Sequence, residues 1–86
     1  MANINEINWA INNHFKSNNR NWIVKATDSP RFVIIEKDER FPNSPLASNV
    51  ALFILRNNPD INYVLAPQLG MVYTRDTLRR AGHKIK

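Results

Sequence analysis

The sequence predicts an α+β fold: a single small domain over residues 1–86, in the order α-β-β-α-β-β-α, with two hairpins in an antiparallel sheet packed by a central apolar helix. Three observations lead there. Ile4, Ile7, Ile11 and Phe15 recur at helical spacing. Two pairs of short, β-branched or alternating runs flank turn signals at Asp28-Ser29-Pro30 and at Pro67-Gln68-Leu69-Gly70. Between the pairs, Leu46, Ala47, Val50, Ala51, Phe53, Ile54 and Leu55 cover most of a helix circumference, the pattern of a buried helix.

Each element has its own grounds. Asn3 can cap the first helix, and Glu6 can reach back to it as in a capping box. Lys16 to Asn21 contains no apolar residue, so the helix ends there. From Trp22 to Thr27 the chain alternates, with Trp22, Val24 and Ala26 facing one way and Ile23, Lys25 and Thr27 the other. Arg31 to Lys37 forms the second strand, and residues 38–43 form a loop. Ser44-Pro45 suits a helix start, because Ser accepts a cap bond and Pro lacks an N–H the first turn does not need. Asn57-Asn58-Pro59 stops this helix. Ile61 to Ala66 and Met71 to Thr74 make the second hairpin. A short helix from Arg75 to Ala81 closes at Gly82, where a left-handed cap belongs.

Composition narrows the function classes. The 86 residues fit one core. The absence of Cys excludes disulfides and thiolate metal sites. The N-terminus lacks the basic and apolar regions of a signal peptide, and the longest apolar run, Val50 to Leu55, is too short to span a bilayer. The expectation is therefore a cytoplasmic protein with no membrane partner. Net charge is +5. Arg75, Arg79, Arg80, Lys84 and Lys86 face a single acid, Asp76, so the excess is a feature of the last helix and of a short basic tail, 82–86. A local basic patch attracts polyanions.

Trp9 is the most informative single residue. Projected at about 100° per residue, it falls opposite the apolar stripe, near Asn5, Asn12, Asn13 and Lys16. A large aromatic on a polar face suits a protein interface or a base to stack on; the alternative is that the 38–43 loop covers it. Trp22 reads as core or rim. The thirteen Asn residues are better explained by compositional bias, caps and turns than by base readout, which needs only a few placed side chains. Arg75 and Arg79, four apart, share a helix face and can grip two phosphates, while Asp76 can pair with Arg80. The alternative is that Arg79 and Arg80 merely complement the helix dipole. His14 reads as a satisfied core histidine. Glu36, Asp38 and Glu39 are interleaved with Lys37 and Arg40, so they read as a solvated edge rather than a metal site. No nucleophile triad, Gly-rich phosphate loop or Cys/His cluster occurs, and no cofactor is implied.

In kind, the chain resembles small phage or mobile-element proteins: short, basic, rich in Asn and without a catalytic signature. The likeness is compositional and covers no particular residues. Two functions follow as expectations. The first is a small non-catalytic basic module that contacts nucleic acid or another polyanionic surface through Arg75, Arg79, Arg80, Lys84 and Lys86, with Trp9, Lys16 and Asn12 as further contacts. The second is an inhibitor of the anti-defence type. It would cover a host protein complex that handles nucleic acid, in the host cytoplasm if phage-encoded, with Trp9 and Leu52 as hot spots. A homodimer by sheet extension along the strand containing Lys25 is a further expectation.

Overall fold

The computed structural model describes residues 3–15, 22–37 and 46–85. The element order is α1 (Ile4–Phe15), β1 (Trp22–Lys25), β2 (Phe32–Lys37), α2 (Ala47–Asn57), β3 (Tyr63–Ala66), β4 (Met71–Thr74) and α3 (Arg75–Arg80), with a 3-10 turn at Pro67–Leu69. This is the α-β-β-α-β-β-α order read from the sequence.

The sheet is mixed, which corrects the antiparallel expectation. Its strand order is β1-β2-β3-β4. Both hairpins are antiparallel, with Val24 opposite Ile35 and Val64 opposite Tyr73. Where they meet, β2 and β3 run parallel, with Val33 beside Val64. The reason lies in the connection. The chain leaves β2, crosses through α2 and re-enters the sheet in the same direction, as a strand–helix–strand unit does. The four strands and three helices form a small α+β domain whose Cα radius of gyration is 11.9 Å, close to the ~12 Å expected of a folded chain this long.

One apolar cluster holds the layers together. It joins Ile7 and Ile11 of α1, Trp22 and Val24 of β1, Val33 and Ile35 of β2, Val64 and Ala66 of β3, and Leu78 of α3. From α2 it takes Ala47, Val50, Ala51, Leu52, Ile54 and Leu55. Within each of β1, β2 and β3 the buried residues alternate, and the register puts them on one face of the sheet, in one cluster with buried residues of all three helices.

The helix ends follow side-chain chemistry. Asn3 Oδ1 accepts the Glu6 N–H at 2.8 Å, and Asn3 Nδ2 donates to Glu6 Oε1 at 3.4 Å. α2 begins at Ala47, with extended Leu46 before it and no side-chain cap; Ser44 and Pro45 lie outside the described residues. α3 starts in a capping box between Thr74 and Thr77. It ends with Gly82 at φ 96°, the Gly82 N–H donating to Arg79 O and the His83 N–H to Leu78 O. That pair of bonds is a Schellman motif, and the positive φ favours Gly.

Two carboxamides close off backbone that the sheet leaves open. Asn8 of α1 pairs with the edge strand: the Val24 N–H donates to Asn8 Oδ1 at 2.9 Å, and Asn8 Nδ2 donates to Val24 O at 3.0 Å. Gln68 treats Lys37 alike, accepting its N–H at 2.5 Å and donating to its carbonyl at 3.0 Å. At the β1 edge, the one expected to extend into a dimer, the third residue, Val24, is paired by the protein's own helix.

Candidate functional site

The sheet face turned away from the helices carries Ile23 and Lys25 of β1, Phe32, Ile34 and Glu36 of β2, Tyr63 and Leu65 of β3, and Val72 and Thr74 of β4. Strand register arranges them in rows. Lys25, Ile34, Leu65 and Val72 run across all four strands, and Phe32, Tyr63 and Thr74 run beside them. Ile23 and Val72, at opposite edges, are 47% and 48% exposed. Within the second row, the Phe32 and Tyr63 rings stack at 4.6 Å with planes 8° apart. Their flat faces are turned to each other, which leaves less ring surface for a nucleobase than rings lying flat on the sheet. The charges on this face cancel, because Lys25 Nζ lies 3.0 Å from Glu36.

Trp9 is 69% exposed on α1, so no described element covers it; the 38–43 loop expected as an alternative cover lies outside the described residues. It sits among exposed Asn5, Asn12 and Asn13, and Asn12 makes contacts of its own. Trp22 is 5% exposed and belongs to the core. His14 is exposed rather than a core residue: its ring stacks on Phe53 at 4.4 Å and meets Phe15 edge-on at 4.8 Å. Leu52 is 8% exposed, so it packs inside and is not an accessible hot spot.

The basic C-terminal residues do not form the expected grip. Arg75 is half-buried and points inward, donating to the carbonyls of Ile61 (2.7 Å), Leu55 (3.0 Å) and Asn58 (3.2 Å). Its guanidinium closes the C-terminal end of α2, where carbonyls lack helical partners, so it is not paired with Arg79 on a ligand-facing surface. Arg79 donates to Ile85 O at 3.3 Å and lies 3.9 Å from Asp76; Arg80 pairs with Asp76 at 3.3 Å. Arg56 donates through Nε to Lys84 O at 2.9 Å and also through Nη2. Residues 83–85 are therefore strapped to α2 and α3, and Ile85 packs on the core. The Arg80 and Lys84 side chains remain exposed. Lys16 and Lys86 lie outside the described residues, as do Asp38, Glu39 and Arg40.

Among the described residues, no group of His, Asp or Glu is placed to hold a metal ion, and no helix is long and apolar enough to cross a membrane. Burial raises the Tyr73 phenol above its ordinary value of 10.0, and Tyr73 packs on the core from the helix side of β4. No local sequence signal marks Asn8, Gln68 or the outer face of the central strands. Alternation from Trp22 to Lys25 is the one signal that separates the two faces. No family model matches the chain, and no curated protein or solved structure is similar to it.

Proposed function

We propose that the chain is a non-catalytic protein-binding module whose outer sheet face seats on a partner protein, with Trp9 as a separate exposed contact. One observation carries the reading. Phe32-Val33-Ile34-Ile35 and Tyr63-Val64-Leu65-Ala66 are continuous apolar runs on neighbouring parallel strands. Such runs belong to strands covered on both faces, yet the three helices share one. The pairing of Lys25 with Glu36 leaves the outer face electrically neutral, which suits an apolar protein surface better than a phosphate backbone. Inhibition of a host complex is one form this activity can take.

Size sets what the face can do. Four strands about 4.8 Å apart, paired over about four residues each, project roughly 250 Å². Even doubled for side-chain relief, that falls short of the ~800 Å² per partner of a standard interface. The face serves as the apolar centre of a larger contact rather than as the whole of a stable dimer.

The test is affinity purification from the native host with the full chain and with Ile23→Glu/Val72→Glu. Both substituted positions are about half exposed, so circular dichroism should show an intact fold. The expected result is a partner retained by the parent chain and lost by the variant. Equal recovery by both would overturn the reading. A second reading, contact with nucleic acid, is favoured by the exposed side chains of Arg80 and Lys84 and by the net charge of +5. It requires binding that weakens steeply with salt and falls on Arg80→Ala/Lys84→Ala.

A further inference from the structure

At the end of the sheet where β1 turns into β2, a cavity of about 380 Å³ opens between the start of α1, the 26–30 turn and the loop entering β3. Ile7, Val33 and Ile61, each 3–4% exposed, are among the residues that line it, with Phe32 as an aromatic wall. Asp28 and Asp60 line it from two different loops, and both are exposed.

These two carboxylates stand apart from the other acids among the described residues. Glu36 pairs with Lys25, Asp76 with Arg79 and Arg80, and Glu6 accepts from Asn3. Among the described residues, Asp28 and Asp60 make no ion pair or side-chain hydrogen bond, although the chain has an excess of basic residues. Both unpartnered carboxylates therefore line one apolar hollow.

We propose that this cavity is a binding site for a cation carried on a short alkyl or aryl stem. The stem would lie against the apolar lining and Phe32, and the cationic head would sit between Asp28 and Asp60. The volume is near the lower end of ligand pockets, which run from about 300 to 1,000 Å³. It suits a small amine or a single Lys or Arg side chain rather than a nucleotide cofactor. The site shares Phe32 with the outer sheet face, but its charged groups, Asp28 and Asp60, are not on that face, so their substitution tests it separately from Ile23→Glu/Val72→Glu.

The experiment is a ¹H–¹⁵N NMR titration of the full chain at low salt with n-butylammonium, n-butanol and butyrate. A fourth arm uses N-acetyl-lysine-N-methylamide, a lysine side chain on a peptide backbone. Butylammonium should give saturable shifts centred on Thr27, Asp28 and Ile61, with affinity about fivefold above butanol, the gain available to exposed ion pairs. Butyrate should bind more weakly than either. The preference for the cation should vanish in Asp28→Asn/Asp60→Asn. Binding by the capped lysine assigns the cation to a partner's side chain; binding by the free amine alone assigns it to a small molecule. Equal affinity for butanol and butylammonium, or a cation preference that survives the double substitution, would overturn the proposal.

Discussion

Arg75 illustrates how far one side chain can depart from its helical-wheel position. Spacing places it with Arg79, but its guanidinium reaches the carbonyls of Leu55 and Asn58 at the end of α2 and of Ile61 in the loop that follows. A guanidinium supplies a planar fork of donors that an ammonium cannot. Arg75→Lys should therefore destabilise the domain by about 2 kcal/mol even though the charge is kept. For a chain this short, thermal unfolding should show a fall in Tm of about 10 °C. An unchanged Tm would mean that those carbonyls find water instead. Trp9 is the opposite case. It contributes little to the core, so Trp9→Ala should alter stability by no more than about 0.5 kcal/mol. If Trp9 anchors a partner, the same substitution should lower affinity at least about tenfold, a separation readable by measuring melting and binding on one sample.

At the scale of elements, the abundance of Asn acquires a physical account. Asn3 caps α1, Asn57 and Asn58 bind the carbonyls of Phe53 and Ile54 at the end of α2, and Asn8 caps the β1 edge. A carboxamide presents a donor and an acceptor side by side, as a neighbouring strand does. Asn8→Ala removes both bonds from a partly buried edge and should cost about 1–3 kcal/mol. It also exposes a template for strand pairing, so sedimentation should show concentration-dependent self-association absent from the parent. A monomer of parental stability would contradict this role for Asn8.

Element types and order were legible because helical and alternating periods differ. The capping role of Asn3 and the Gly82 stop were legible because they are local. The inward turn of Arg75 and the pairing of Asn8 with Val24 were not, since each joins residues distant in sequence. The parallel junction was obscured by the turn signals, which reveal hairpins but not how two hairpins meet. The outer face was hidden for a different reason. Alternation marks β1, where Ile23 and Lys25 oppose Trp22 and Val24, but the central strands are apolar at consecutive positions, so periodicity there assigns no residue to a face.

For the whole molecule, charge and apolar surface are kept apart. The basic excess lies on α3 and the segment strapped beside it, where Asp76 and backbone carbonyls engage much of it. The outer sheet face is neutral and apolar at its centre. Its rows at Phe32–Tyr63 and Ile34–Leu65 have the character of a core with one layer in place. The central claim is that a partner protein supplies the second layer. The most direct test is titration calorimetry of the chain against the partner recovered from the host, at several temperatures, for the parent and for Ile23→Glu/Val72→Glu. Burial of this face should give a negative heat-capacity change, and the double substitution should weaken binding by at least about tenfold. A heat-capacity change near zero, with affinity that falls steeply with salt and is indifferent to Ile23 and Val72, would contradict it.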